Sequence, residues 1–328
     1  MALPLVSGAL TQASCPNYIG PLFTVGAGSN VFLSLLGATT PEDGARYTTD
    51  VRVAIQYDEI PAAEDDGKLE GQEAPTLKGF QRAQVYNVCQ IFMSAWGLTY
   101  SKAAATSQLA GIASTSGTNP IQNEMDYQTD RHLRKAANDI NYSLINSTFL
   151  EPGDPTSTAR SLRGILAALS TNVSAANGAD FSRTLLENHL ETMYTNGALR
   201  NLSEVFVLAG ARQKRNISRA YAVEPADRYI GGVAIQKIVT DVGELNVAAI
   251  ENHMPAGVIG IFDFSIMDLV FLQVIDPETG MNKGVLFVEP LAKTGATSKR
   301  QMYGEFTLQH GPEQLQGAIT GMSNNFIV

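Results

Sequence analysis

Residues 119–148 read NPIQNEMDYQTDRHLRKAANDINYSLINST, a stretch with the spacing of one long helix. Asn119 is a favoured N-cap, Pro120 suits the first helical position, and Gln122 sits where a capping box wants a side chain that reaches back. Ile121, Met125, Leu133, Ala137, Ile140 and Leu144 recur at helical intervals, and after Pro120 no Gly or Pro interrupts the run before Pro152. At ~1.5 Å per residue the stretch spans on the order of 40 Å. The usual globular helix has roughly 11 or 12 residues, so this one is expected to cross the whole molecule as a spine. Its other faces carry Glu124, Asp126, Asp130, Arg131, Arg134, Lys135 and Asp139, with Asp130 and Arg134 spaced for an i,i+4 pair. The apolar stripe keeps no seven-residue register, which argues against a coiled coil.

Upstream of the spine the pattern is extended. Thr48 to Ile60 alternates Val51, Val53, Ile55 and Tyr57 with Arg52, Ala54, Gln56 and Asp58, as a half-buried strand does. Gln81 to Tyr100 is a second β-rich run, containing Val85, Tyr86, Val88, Cys89, Ile91, Phe92 and Trp96. The connection between them, PAAEDDGKLEGQEAPTLKG from Pro61 to Gly79, is too long for a tight hairpin and too polar for core. Together they predict a two-stranded arm with an acidic tip. Two strands are not stable alone in water, so the arm needs a surface to lie on. Glu64, Asp66, Gly67 and Glu73 fall at calcium-loop offsets, but Ala62 occupies the first ligand position and strands flank the loop, so the tip reads as a solvated acidic loop. Before the arm, Met1 to Ala45 is rich in small and turn-forming residues and reads as an extended tail. Its Gly26-Ala-Gly28-Ser-Asn-Val31 lacks the third glycine of a dinucleotide loop.

Downstream, Ser161 to Ser170 is a short apolar segment, and Asp180 to Leu199 predicts an amphipathic helix capped by Asp180, with Leu185, Leu186, Leu190 and Met193 buried. Then strands and helix alternate. Glu204 to Leu208 reads as a buried strand, Ala209 to Ala222 as a helix bearing Arg212, Lys214, Arg215 and Arg219, and strands are expected at Gly232 to Thr240, Leu245 to Ile250 and Val258 to Phe262. This is the pattern of an α/β module set into the body. Val285 to Met322 returns to strand patterning and is expected to complete the sheet of the body.

The 328 residues are 44% hydrophobic, enough for a substantial core, and no apolar run approaches the ~18 to 20 residues that cross a bilayer. With no cationic, apolar leader at its start, the chain is expected to be made and kept in the cytosol. Cys15 and Cys89 are far apart, without a CxxC, and read as buried thiols. The net charge of −9 opposes a protein that must grip phosphate backbones, although nucleic acid can be enclosed without being gripped. His132, His189, His253 and His310 each lack a second ligand at metal-binding spacing. There is no Gly-x-Ser-x-Gly elbow, no phosphate loop and no Cys/His signature. The residues thus favour a structural protein with no active site and no cofactor.

The order of parts resembles the major capsid proteins of tailed bacteriophages, with the HK-97-type fold shared by encapsulins and the herpesvirus capsid floor. Within that family the sequence is most similar to the branch whose type member is the phage SU-ten capsid protein. The stretches that carry the likeness are Val205-Phe-Val-Leu-Ala-Gly210 leading to Gln213-Lys-Arg-Asn-Ile217, Thr240-Asp-Val-Gly-Glu-Leu-Asn-Val247 followed by Met254-Pro255, Leu291-Ala-Lys-Thr-Gly295 and Glu305-Phe-Thr-Leu308. The likeness runs from about Tyr86 onward.

The resemblance implies an α+β fold with an N-arm (1–45), an extended β-hairpin E-loop (46–104), a P-domain (105–200) holding the spine helix 119–148, an α/β A-domain (201–284) and C-terminal strands (285–328) that return to the P-domain. It implies a structural protein that self-assembles into an icosahedral shell of hexamers and pentamers around double-stranded DNA, in a virion assembled in the host cytoplasm. An encapsulin-like shell around a cargo enzyme is the alternative. Portal and scaffolding proteins, and a decoration protein, are the further partners it suggests. No long coiled-coil leader precedes the N-arm, so no fused scaffolding domain is expected. Some relatives crosslink an E-loop lysine to a neighbour's asparagine, and Lys68 and Lys78 are the lysines placed for it here, though the reaction also needs a carboxylate and a dry site. The expected inter-subunit contact sets Glu64, Asp65, Asp66, Lys68, Glu70 and Glu73 of the tip against Arg131, Arg134 and Lys135 of a neighbour's spine.

Overall fold

Residues 124–146 form a single helix, and its expected stripe is buried at Met125, Leu133, Ala137, Ile140 and Leu144. The computed structural model describes residues 22, 30–36, 45–46, 52–58, 69–71, 73, 82–104, 124–221, 223–230, 233–250, 253–276, 280, 282–293 and 295–325. The cap expected at Asn119 and the first turn after it lie outside the described residues.

In chain order, helix α1 (Val31–Leu36) is followed by strands β1 (Ala45–Arg46), β2 (Arg52–Asp58), β3 (Arg82–Val88) and β4 (Gln90–Thr99). Next come helices α2 (Tyr100–Ala104), α3 (Glu124–Asn146, the spine) and α4 (Ile165–Ala168), strand β5 (Val173–Ala175), helix α5 (Arg183–Thr195), strand β6 (Val205–Ala209) and helix α6 (Ala211–Ala220). Strands follow, with short 3-10 turns at Phe264–Ile266 and Glu313–Leu315 between them: β7 (Val223–Ile230), β8 (Val233–Thr240), β9 (Gly243–Ala249), β10 (Ile259–Asp263), β11 (Asp268–Leu272), β12 (Val274–Ile275), β13 (Asn282–Gly284), β14 (Leu286–Pro290), β15 (Thr297–Gln309) and β16 (Gly317–Thr320).

The spine lies on a sheet built around β15. β4 pairs antiparallel along one edge of β15, from Thr297↔Thr99 to Phe306↔Gln90. β14 and β11 share the other edge, opposite residues 300–304 and 305–309. Phe92, Trp96, Met302 and Phe306 from this sheet share one core with Leu133, Ala137, Ile140 and Leu144 of the spine. Helix α1 joins the same core through Phe32, and the buried Asn141 side chain of the spine accepts a hydrogen bond from the Leu33 amide at 2.9 Å.

The α/β module has its own sheet, ordered β5-β16-β10-β6-β9-β8-β7. Strand β6, VFVLA, is buried at all five positions because both of its faces are covered. Phe206 and Leu208 enter the spine core, while Val205, Val207 and Ala209 pack with Leu186, Leu190 and Met193 of α5 and Ile217 of α6. β6 and β9 run parallel, with α6 in the connection between them.

Three expectations differ from what folds. The run Gln81 to Tyr100 divides at Cys89: residues 82–88 pair with β2 in the arm, from Arg52↔Val88 to Asp58↔Arg82, while residues 90–99 belong to the body sheet. Helix α5 is capped by Ser182, whose hydroxyl accepts from the Leu185 amide at 3.1 Å, and not by Asp180. Asp180 instead receives hydrogen bonds from Ser323 and Asn325, tying down the end of the chain. Finally, β14 and β15 complete the body sheet as expected, but β16 enters the sheet of the α/β module beside β10 and β5. Gly317 permits that entry, since a Cβ there would stand 2.5 Å from the sulfur of Met193.

Candidate inter-subunit surfaces

The acidic tip and the spine cations were expected to meet between copies. Glu64, Asp65, Asp66 and Lys68 lie outside the described residues; Glu70 and Glu73 are exposed. Arg131, Arg134 and Lys135 are all exposed on the spine. Arg134 pairs with Asp130 at 2.9 Å, which is the i,i+4 pair read from the spacing, and its hydrogen bond to Asp130 raises its pKa further. Lys135 pairs with Asp139, and the Arg131 guanidinium lies 4.9 Å from the centre of the Tyr127 ring. Each cation is thus already held by its own helix, two by carboxylates and one by an aromatic face. An acidic segment arriving from elsewhere competes with Asp130 and Asp139 but adds to the Tyr127 contact.

What aims the arm is Asn87, a residue that the sequence pattern did not single out. It is fully buried at the junction of β3 and β4. Its Nδ2 donates to the carbonyls of Arg163 at 3.0 Å and Leu308 at 2.9 Å, and its Oδ1 accepts from the amides of Val88 at 2.9 Å and Arg163 at 2.7 Å. One side chain therefore joins the arm base to β15 and to the segment after the spine. Asn87→Ala removes all four bonds and leaves buried backbone groups without partners, at about 1–3 kcal/mol for each group that water cannot reach. The expected result is a chain that folds with a lower Tm and exchanges arm amides faster in hydrogen exchange. Unchanged exchange in residues 82–88 would show that the arm is held by something else.

The body sheet leaves one face away from the spine. On it Tyr303 stands between Phe287 of β14 and Met93 of β4, the Phe287 and Tyr303 rings 5.8 Å apart, with Met93 63% exposed and Ile91 44% exposed. Beneath them Tyr303 donates to Glu305 at 2.5 Å, and Arg160 reaches the other oxygen of Glu305 at 3.4 Å. Burial, and then Glu305, push the Tyr303 hydroxyl above its ordinary range, so it remains a donor. The Cys89 thiol, packed with Val270, is buried and pushed up to about 12, first by burial and then by the Glu305 charge, so it is no nucleophile at neutral pH. The alternation of β15 is legible in the sequence, but which of its faces stays open depends on where the spine lies.

The histidines are held singly. His132 stacks on Trp96 at 4.6 Å and shares a 2.6 Å hydrogen bond with Ser94. His189 shares one of 2.7 Å with Ser174, and the carbonyl of His253 accepts from Asn146 at 2.7 Å. His310 binds the Gly311 carbonyl at 2.8 Å. Burial lowers the pKa of each, so all are neutral at pH 7. Among the described residues no three His, Cys, Asp or Glu side chains gather as metal ligands, and no helix is long and apolar enough to cross a membrane.

The fold matches known shells. A family model described as SU10 major capsid protein matches residues 5–323 of the chain. Among solved structures, the SrpI encapsulin of Synechococcus elongatus PCC 7942 superposes with a TM-score of 0.55 at 11% identity, over 100% of this chain and 95% of that one. The capsid of cyanophage A-1(L) gives a TM-score of 0.56 at 7% identity, over 90% and 93%. A chain of Mycobacterium phage Patience gives 0.51 at 10% identity, over 94% and 89%. At such identities these likenesses concern the fold alone. No curated protein sequence matches the chain.

Proposed function

Because the chain belongs to the SU10 major capsid protein family, we propose that it builds an icosahedral shell of hexamers and pentamers that encloses the double-stranded DNA of a tailed phage. The family match over residues 5–323 carries this reading. Its role is structural, not enzymatic, and its principal partner is itself. A portal, a scaffold and a decoration protein are further partners in this reading, and assembly takes place in the host cytoplasm. The net charge of −9 suits a wall that encloses DNA without gripping it.

The encapsulin likeness spans the whole chain and keeps a second reading open, a shell around a cargo enzyme. The content of the particles separates the two. Particles isolated after the chain is expressed with its neighbouring genes should protect double-stranded DNA from nuclease. Particles that hold one co-purifying protein and no DNA would favour the encapsulin reading.

Between copies, the tip residues Glu64, Asp65, Asp66, Glu70 and Glu73, with Lys68 among them, face Arg131, Arg134 and Lys135 of a neighbouring spine in this reading. The Asp130 and Asp139 pairs already satisfy two of those cations, which makes Arg131 the strongest single donor to the tip carboxylates in this reading. Exposed pairs contribute only about 0–1 kcal/mol each, screened beyond ~8–10 Å near physiological salt, but symmetry repeats the contact at every equivalent site. Changing Glu64, Asp65 and Asp66 together to Ser is therefore expected to move particle disassembly to lower salt. Identical disassembly curves across a salt series would show the tip to be a solvated loop.

A further inference from the structure

Helix α1 (Val31–Leu36) starts at Asn30, whose carbonyl accepts from the Ser34 amide at 3.0 Å. Asparagine is a favoured cap, and its side chain normally accepts from an amide two or three residues on. Here the buried Asn30 side chain has no hydrogen-bond partner at either of its polar atoms. The amide three residues on, that of Leu33, donates instead to Oδ1 of Asn141 on the spine, 108 residues away in sequence, at 2.9 Å. The cap of α1 is therefore supplied by another element, while the local one stands idle.

That supply fixes the other end of the Asn141 side chain. A backbone N–H only donates, so Oδ1 must face Leu33 and Nδ2 must face the His253 ring, with whose Nδ1 it makes a hydrogen bond. Nδ2 also only donates, so Nδ1 of His253 is the acceptor and the neutral ring carries its proton on Nε2. Asn141 is fully buried, so water replaces neither partner. The carbonyl of His253 is held separately, by Asn146 at 2.7 Å, and the Tyr142 ring meets the imidazole edge-on at 6.3 Å.

Of the spine side chains set against His253, Asn141, Tyr142 and Asn146, only the Tyr142 phenol titrates, and α1 carries no acid or base. Burial holds the His253 pKa below its ordinary 6.5, and no carboxylate or cation among the described residues acts on it. A proton on Nδ1 makes the ring a donor at both nitrogens. Two donors then face each other, and Asn141 meets the ring only by turning its amide over, which sets Nδ2 against the Leu33 amide. One side chain thus serves the charged ring or helix α1, not both.

We infer that Asn141 couples the protonation of His253 to the hold of the spine on α1, so that the helix opens more often when the ring is charged. By linkage, the tied helix favours the neutral ring as much as the neutral ring favours the tie. The tie is complete above about pH 6.5 and weakens as the pH falls toward the lowered pKa of the ring. Phe32, fully buried and edge-on to Phe262 and Phe264, keeps α1 seated, and the idle Asn30 side chain is placed to take over the Leu33 amide. The proton therefore changes how often the helix opens and does not expel it. In the proposed shell α1 belongs to the N-arm (1–45), but the inference concerns a single folded chain.

Hydrogen exchange of the full chain at about pH 7.5 and about pH 5 tests it. The quantity read is the protection of residues 31–36 relative to residues 205–209 of β6, a fully buried strand that reports opening of the whole core. In the unmodified chain this ratio should fall by about tenfold at the lower pH, because each unit by which the tie lowers the ring's pKa is a factor of ten. His253→Asn keeps an acceptor within reach of Asn141 and cannot titrate, so its ratio should change by less than about twofold. An unmodified chain with the same ratio at both pH values would overturn the inference, and so would an equal fall in His253→Asn. If that variant does not fold, Asn141→Asp decides. Its carboxylate accepts from the Leu33 amide and the charged ring together, so the ratio should hold at about pH 5. A fall as large as in the unmodified chain would overturn the inference. Whether the chain forms particles bears on the shell reading alone.

Discussion

Ala137→Pro is expected to yield no closed particles and little soluble protein. Ala137 is fully buried near the middle of the spine, in the core formed with Trp96, Met302 and Phe306. A proline there removes the amide that bonds to the carbonyl of Leu133 and drives its ring against that carbonyl, at about 3 kcal/mol or more. The ring also needs volume in a site where the close-packed core leaves none. The spine joins the body sheet, helix α1 and the α/β module in one core, so the loss spreads to all of them. Circular dichroism and sedimentation of the variant provide the check. Correctly sized particles from Ala137→Pro would show that residues 124–146 do not need to be one continuous helix.

The second large effect is acid lability. His189 is buried on the side of α5 that faces Gly317 of β16, and burial holds its pKa down to about 4, against an ordinary value of 6.5. Its Nδ1 meets Ser174, while its Nε2 has no hydrogen-bond partner among the described residues and lies where Gly317 leaves room. The native state therefore resists the proton that the unfolded chain accepts. The stability this neutral form contributes is fully present above about pH 6.5, falls as the pH drops from there to about 4, and then stays constant. For a shift of this size the loss is roughly 3 kcal/mol. His132, His253 and His310, all lowered by burial, act in the same direction. His189→Asn keeps an amide near Ser174 and cannot titrate. It should lower Tm at pH 7.5 but flatten the fall in Tm between pH 7 and 4.5. An unchanged pH slope would mean that another group governs acid unfolding.

The parts that were legible in the sequence are those with a strong local period. The spine, the arm and the α/β module each follow from alternation or helical spacing, and Val205 to Leu208 from a run buried on both faces. Strand destinations were not legible. Nothing local marks Cys89 as the point where one apolar run leaves the arm and joins the body, because both halves alternate equally well. The signal lies in Asn87, a polar residue in the middle of a strand run, three of whose four hydrogen bonds go to Arg163 and Leu308, distant in sequence. The cap of α5 stands two residues beyond the expected Asp180, at Ser182, for a similar reason. Asp180 and Ser182 both suit the position, and the choice is made by Ser323 and Asn325, which take Asp180 away. The sheet that β16 joins is not legible because a short apolar strand carries no record of its neighbour; the mark is Gly317, beside His189 and Met193. The tip and the spine cations could be named from charge alone, but a contact between two copies is not written in the pattern of one.

The central claim, that copies of this chain assemble into a protein shell, is tested most directly by cryo-electron microscopy of the purified, expressed protein. The account predicts icosahedral particles built of hexamers and pentamers, with residues 124–146 as one unbroken helix in every subunit. A homogeneous monomer at concentrations where the unmodified chain is folded, or particles without icosahedral symmetry, would contradict it.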